Sequence, residues 1–372
     1  MGMNDLRTGL SYGDVLLVPK RSPVDSRGDV DLSASLTPSV ELSTPLVSAA
    51  MDTVTEAELA LELARAGGIG VLHRFLTPSE QAEQVTTVRS EGQQVAAAVG
   101  IDEDYVSRSA TLVEAGVDAL VVDVAHGHLE RALDAVAAIH AEFPDTDLVA
   151  GNVATPAGVE DLAAAGADCV KVGIGPGSHC TTRKVAGAGV PQLTAVDDCA
   201  DAAAAQGVTT CADGGIRTSG DATKALMAGA DTVMLGSLFA GTEEAPGAVV
   251  EVEDTRYKRS RGMATTAAGE ARADKEVDIR TDEGVEALTP YKGLLDGIVT
   301  EFCAGIRSGL SYCGGHTIAA AREKAEFIRV APSAQEREGY HADHDWEGVD
   351  VEREVVRDGV GTASERAAET DD

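Results

Sequence analysis

The chemistry-bearing stretch of this chain is Gly173-Ile-Gly-Pro-Gly-Ser-His-Cys-Thr-Thr-Arg183, which sets one thiol, Cys180, at the end of a glycine-rich turn. Glycines let main-chain amides and carbonyls crowd a ligand. Ser178 and Thr182 bring hydroxyls beside the thiol. A free cysteine is by default a small buried hydrophobe, and a tight loop with an incidental thiol is the alternative here. The density of polar groups favours a nucleophile with a cradle for an ion.

These residues need elements to hold them. Short apolar runs recur at Pro45–Ala50, Gly68–His73, Val95–Gly100, Ala119–Ala125, Leu148–Val153, Cys169–Ile174, Val208–Asp213 and Thr232–Ser237. They lack strict alternation, as strands buried on both faces do. Helix signals lie between them. Thr55-Glu-Ala-Glu58 and Thr77-Pro-Ser-Glu80 read as capping boxes, and Gly67, Gly116, Gly166 and Gly229 stand where helices end before the next strand. Eight strand–helix repeats predict a parallel (β/α)8 TIM barrel. A doubly wound open sheet is the runner-up.

Barrel sites form at the C-terminal strand ends. There the chain puts Ser48 and Asp52, His73-Arg74, Asp123-Val-Ala-His-Gly127, Asn152, the Cys180 loop, Asp213-Gly-Gly215 and Gly236-Ser237. Loops seven and eight are where barrels commonly bind phosphate through amides and a helix N-terminus, so a phosphorylated substrate is expected. The order is interrupted at about 243–290 by a charged segment with little hydrophobic period, read as a mobile flap over the mouth. Thr300 to Phe327 looks helical again. Residues 1–332 are expected to form one catalytic domain, and 333–372 an acidic, disordered tail. His126, His128 and His179 match no compact ligand spacing and are expected to face solvent.

Acidic residues number 62 against 30 basic ones, a net charge of −32, with 3% aromatics. Such a surface repels nucleic acid and anionic lipid, so neither is an expected partner. It resembles the surface of a salt-adapted cytoplasmic protein. The six cysteines form no CxxC pair, which fits a reducing cytoplasm. No signal peptide or run of about 18 apolar residues is evident.

From about Leu10 to Val330 the chain resembles the IMP dehydrogenase and GMP reductase family. The Gly173–Arg183 loop looks like that family's catalytic cysteine loop. Asp14–Pro19, Met51–Val54, Ala150–Val153, Ala212–Gly215 and Tyr291–Gly293 support it. The resemblance implies an oxidoreductase of purine metabolism in which Cys180 attacks C2 of a purine 5′-monophosphate, with Thr182 and Glu283 relaying a proton. It implies phosphate contacts from Ser178, Gly215, Gly236 and Ser237, ribose contacts from Asp213, and base contacts from Met263 and Glu283. Ser48, Gly214, Gly262 and Arg280 complete the substrate set. A potassium ion would sit on the carbonyls of Gly175, Gly177 and Cys180, with Arg183 beside them. A dinucleotide would lie along Arg74, Asp123, Val124, Ala125, Ser308 and Ser311. Its adenosine end would reach Ser26 and Arg27 across a subunit boundary of a homotetramer.

Two chemistries share this framework. A dehydrogenase oxidises IMP with NAD and hydrolyses the adduct with an Arg-Tyr pair in its flap. A reductase releases ammonia from GMP and takes hydride from NADPH. Between Met263 and Glu283, only 20 residues apart, there is no Arg-Tyr pair. Arg280-Thr-Asp-Glu-Gly284 and Ser26-Arg27 also resemble a reductase, as does the passage of Arg89–Gln94 straight into strand three with no CBS module. Val185–Gln192, Asp123–Gly127 and Gly214–Arg217 look more like a dehydrogenase. Two departures from both are His179, where an apolar residue is usual, and Ser260-Arg261, where a phosphate-binding tyrosine is expected. The missing pair favours GMP reductase. IMP dehydrogenase without CBS domains is the alternative, and a non-catalytic purine-nucleotide-binding barrel the second.

Overall fold

The computed structural model describes residues 6–102, 104–273 and 283–338. Eight parallel strands close on themselves: β1 (Leu46–Ser48), β2 (Ile69–Leu72), β3 (Val95–Val99), β4 (Ala119–Asp123), β5 (Asp147–Val153), β6 (Cys169–Val172), β7 (Thr209–Asp213) and β8 (Thr232–Leu235). Sequence neighbours pair, and β8 meets β1 at Val233↔Leu46 to Leu235↔Ser48. This is the TIM barrel, and each strand falls inside the run expected for it except β5, which begins one residue earlier, at Asp147.

Closure explains the missing alternation. Residues such as Val47, Ile69, Val71, Ala96, Ala98, Val121, Val149, Cys169 and Cys211 form a buried cluster inside the ring. Their neighbours Leu46, Leu72, Ala97, Leu120, Val170 and Ala212 join the cores of the surrounding helices in a second cluster. Both faces are dry, so most positions are apolar, with burial worth about 1.5–3 kcal/mol for each large side chain.

The helices between strands are α1 (Ala57–Arg65), α2 (Pro78–Ser90), α3 (Tyr105–Glu114), α4 (Glu130–Glu142), α5 (Pro156–Ala164), α6 (Thr182–Val185), α7 (Gln192–Gln206) and α8 (Ser219–Met227). Thr77 caps α2 in a full box with Glu80, with Pro78 in the first turn. The box expected at Thr55 does not form. The Thr55 hydroxyl instead donates within the buried interior, 2.7 Å from both Ser48 Oγ and the Ala49 carbonyl, and Glu56 precedes α1 without a side-chain cap. Gly67, Gly116, Gly166 and Gly229 have φ of 88°, 89°, 106° and 114°, the left-handed turn that ends a helix before a strand.

A small hairpin, Ala34–Ser35 against Glu41–Leu42, places Leu36, Val40 and Leu42 in the inner cluster. Its backbone is tied to the starts of two strands, Ser39 N to Asp147 at 3.2 Å and the Leu36 carbonyl to Thr209 Oγ1 at 2.5 Å. The N-terminal mouth is thereby plugged, which leaves the C-terminal mouth for a ligand.

The segment after β8 is more ordered than its charge pattern led us to expect. It folds as an antiparallel sheet of β9 (Val249–Val252), β10 (Thr255–Arg261) and β11 (Glu286–Pro290), with β10 central and α9 (Thr266–Ala271) beside it. Even the buried positions of these strands, Lys258, Ser260 and Thr289, are polar, so no apolar run marks them in the sequence. Helices α10 (Leu295–Cys313) and α11 (Ile318–Arg322) follow. Phe327 begins a short strand, Phe327–Arg329, rather than ending a helix. A second unit begins at Arg329, and its described part carries helix α12 (Pro332–Glu338) where an irregular tail was expected. The remainder of the expected tail lies outside the described residues. No helix among the described residues is long and apolar enough to cross a membrane.

Candidate active site

At the C-terminal mouth a cavity of about 320 Å³ gathers the ends of strands β1, β2 and β4 to β8 together with the flap. Its wall includes Cys180, Thr182 and Glu283, then Ser178, Asp213, Gly214, Gly215, Gly236 and Ser237, then Gly262 and Met263. Arg74, Asp123, Val124, Ala125, Gly175 and Gly177 line it too.

The thiol is built into a short relay. Cys180 Sγ lies 3.2 Å from Thr182 Oγ1, which lies 2.8 Å from Glu283 Oε2. Main-chain bonds hold the two ends together: Thr181 N donates to the Glu283 carbonyl, Val285 N to the His179 carbonyl and Glu283 N to the Ala264 carbonyl, each at 3.0 Å. A two-residue bridge pairs Cys180 with Gly284. The nucleophile loop and the flap are thus one piece of backbone at the thiol. Cys180 is half-buried and the other five cysteines are buried. Burial pushes the Cys199 and Cys211 thiols up to about 12, and Cys303 up to about 11, so those three stay protonated.

The glycines of this loop answer to close approaches. Gly173, at φ 153°, passes so near the end of β7 that a Cβ would lie 2.0 Å from the Asp213 carbonyl. A Cβ on Gly214, at φ 97°, would meet Pro176 at 2.8 Å.

Beneath the loop lies a charged group that the sequence reading missed. Lys171, in β6, is 2% exposed, and its Nζ is 2.8 Å from Asp123 Oδ1 and 2.7 Å from Asp213 Oδ2. Burial opposes its charge, but the two carboxylates more than offset this and hold its pKa above the ordinary lysine value. Asn152 Nδ2 also donates to Asp213 Oδ2 at 2.8 Å, which leaves Oδ1 for a ligand. The signal was available: a lysine inside the apolar run Cys169-Val-Lys-Val172 must have buried partners.

Several expected residues stand elsewhere. Ser48 is fully buried and bonded to Thr55, with Ala49, Ala50 and Met51 forming the cavity wall instead. Arg183 turns away, its side chain against Gly175 and donating to the Val190 carbonyl at 2.6 Å. Ser26 and Arg27 form a separate patch with α10. Ser26 caps a short 3-10 turn, and the Arg27 guanidinium sits 5.9 Å from the ring centre of Tyr312, next to Ser311 and four residues after Ser308. None of these four lines the cavity. Arg280 lies outside the described residues.

Of the three histidines, only His126 is exposed. His128 is 2.6 Å from Asp161. His179 is half-buried between Ser178 and Ser260, and burial lowers its pKa. Arg261 is committed to Asp52, Nε to Oδ2 at 2.9 Å, and to the Ala267 carbonyl at 3.0 Å, so it does not stand in for a phosphate-binding tyrosine. An Arg-Tyr dipeptide does occur at Arg256-Tyr257, but in β10, where Arg256 stacks 4.3 Å from the Tyr291 ring and neither residue lines the cavity.

Among the described residues no group of three His, Cys, Asp or Glu could hold a metal ion. A cation at the cysteine loop would therefore rest on main-chain carbonyls, a donor set that suits potassium. The Gly177 carbonyl already accepts from Cys180 N at 3.1 Å, with a second lone pair to spare.

Comparison with known proteins agrees with this geometry. Residues 9–341 match the model of the IMP dehydrogenase / GMP reductase domain. The chain is 37% identical to inosine-5′-monophosphate dehydrogenase of Nitrosopumilus maritimus over 460 aligned positions, covering 88% of this chain and 97% of that one. It is 36% identical to the Bacillus subtilis dehydrogenase, covering 87% and 93%. It is 34% identical to GMP reductase of Leishmania donovani over 478 positions, covering 90% and 97%. These alignments run longer than the 372 residues of this chain, so relatives of both names carry segments it lacks.

Proposed function

The chain belongs to the IMP dehydrogenase and GMP reductase family of purine-nucleotide oxidoreductases, and we propose that within it the protein is a GMP reductase. It would convert GMP to IMP and ammonia. The covalent chemistry rests on the relay from Cys180 through Thr182 to Glu283, at 3.2 and 2.8 Å. The observation that carries the choice of reductase is that no Arg-Tyr pair lies between Met263 and Glu283. Thiolate addition to C2 forms a carbon–sulfur bond. The C2–nitrogen bond then breaks only if nitrogen leaves as ammonia, which needs a proton delivered at that atom. Thr182, hydrogen-bonded to both Cys180 and Glu283, is suited to pass that proton on. A nicotinamide dinucleotide, NADPH in this reading, supplies hydride to C2 when bound, after which the C2–sulfur bond breaks and Cys180 leaves as the thiolate.

The rest of the cavity wall suits a nucleotide. Asp213 Oδ1 can accept from ribose hydroxyls while Lys171 and Asn152 fix the other oxygen. Ser178, Ser237 and the glycines 215 and 236 can surround a phosphate with hydroxyls and amides. Met263 and Gly262 would meet the base. The carbonyls of Gly175, Gly177 and Cys180 would hold potassium, and the patch of Ser26, Arg27, Ser308 and Ser311 would take the adenosine end from a neighbouring subunit of a homotetramer.

The second reading, IMP dehydrogenase, is favoured by the names of most of the relatives quoted above. Against it stands the absence of an Arg-Tyr pair on the flap after Met263. The shortness of the chain is not an argument for either, since the Leishmania reductase also carries the extra segment. One paired assay decides. GMP with NADPH should bleach the reduced-nicotinamide absorbance, whereas growth of that absorbance with IMP and NAD would establish the dehydrogenase instead. Activity with neither pair would leave a binding protein.

A further inference from the structure

His179 does more than precede the nucleophile. Its Nδ1 lies 3.1 Å from Ser178 Oγ and its Nε2 lies 2.8 Å from Ser260 Oγ. Ser260, in β10, continues to Thr289 Oγ1 in β11 at 2.7 Å. Ser260 and Thr289 are 2% and 8% exposed, so this chain of hydroxyls is dry where it enters the flap. A single imidazole thus joins the loop that carries the thiol to the two strands that deliver Glu283. An apolar side chain of the same size would fill the space but lose the bond to Ser260, whose hydroxyl would keep only Thr289 Oγ1 and the Ala287 carbonyl, both in the flap sheet.

We propose that His179 is a positioning residue. Its Nε2 clamps the cysteine loop to the flap sheet while Nδ1 fixes the ring on Ser178 of its own loop, so that Glu283 stays within reach of Thr182. The clamp rests on Cys180 and Glu283 acting together, which both readings of the activity share, and not on the choice between them. In a neutral ring one nitrogen donates and the other accepts, and hydroxyls at both ends rotate to suit. The bond that matters for coupling is the one from Nε2 to Ser260, because Ser178 belongs to the same loop as His179.

The two nitrogens can be separated by substitution. A glutamine amide reaches about where Nε2 lies, and an asparagine amide only about where Nδ1 lies. His179→Leu should lower kcat about tenfold or more, as expected when a reacting group drifts by a fraction of an ångström, with KM for the nucleotide changed less than about twofold. His179→Gln should recover most of that loss and His179→Asn should not. Ser260→Ala should reproduce the His179→Leu loss, and the double variant should be no worse than either alone. Multiplying losses in the double variant, or equal behaviour of Gln and Asn, would overturn the proposal.

A readout independent of turnover is alkylation of Cys180 by iodoacetamide in the nucleotide-free protein, since the other five thiols are buried. Opening the clamp should speed it about threefold or more in His179→Leu and in Ser260→Ala. An unchanged rate in a Ser260→Ala protein that melts like the parent would defeat the clamp even if His179→Leu failed to fold. If the parent turned over neither nucleotide pair, the labelling comparison would still decide the matter.

Discussion

Cys180 and Lys171 set the demands of this site at the scale of single residues. In the proposed chemistry, removing the thiol removes the covalent step and little else, because the phosphate and ribose contacts assigned to Ser178, Gly215, Gly236, Ser237 and Asp213 do not use the sulfur. Cys180→Ala should therefore abolish turnover while leaving GMP affinity, measured by calorimetry, within a few-fold of the parent. Glu283→Gln keeps the shape of the relay but cannot give up a proton, so kcat should fall about a hundredfold or more while alkylation of Cys180 proceeds. Lys171 holds two carboxylates together, and Lys171→Met leaves Asp123 and Asp213 facing each other without a cation. The cost should be about 3 kcal/mol in urea unfolding at neutral pH, at the low end for a broken buried pair because both carboxylates keep some contact with water. The sign of its pH dependence is fixed. A lysine whose folded pKa is raised stabilises fully below its unfolded value, 10.5, and loses that contribution only as pH rises through the folded one. In the variant a carboxylate is pushed up instead, so the gap between variant and parent should narrow as pH falls toward about 4. The candidate thiol stands out in the sequence because glycines and hydroxyls around a cysteine are visible in one dimension. The Lys171 bridge joins residues from three strands that only barrel closure brings together.

At the scale of elements, the barrel strands were readable because burial on both faces makes each a short, mostly apolar run without strict alternation, and because glycines with positive φ mark the helix ends. The flap sheet was not, since even its buried positions are polar, and it looks like coil until β10 is seen between two antiparallel partners. The Thr55 box failed for a different reason: the hydroxyl found Ser48 and the Ala49 carbonyl inside the fold, a tertiary demand that outweighed the local motif. Where the motif does form, at Thr77, Thr77→Ala should cost about 1 kcal/mol. Gly173→Ala should be far more damaging than an exposed loop change, since its methyl would collide with the Asp213 carbonyl. It should weaken nucleotide binding through Asp213 before it lowers kcat, which a KM-against-kcat comparison would reveal.

The whole molecule carries a net charge of −32 on 372 residues. Its self-repulsion should fade as salt shortens the screening length from about 10 Å at 0.1 M to about 3 Å at 1 M. Melting temperature should rise with sodium chloride and potassium chloride alike, while turnover should respond to potassium over sodium if the loop carbonyls hold that ion. Equal turnover in the two salts would remove potassium from the site. Closure has another bearing on the molecule, in its synthesis. The first barrel strand, Leu46–Ser48, takes one neighbour from residues close by and the other from Thr232–Leu235, the last to be made. A nascent chain therefore carries an open edge until the strand ending at Leu235 emerges, about two thirds of the way along the 372 residues.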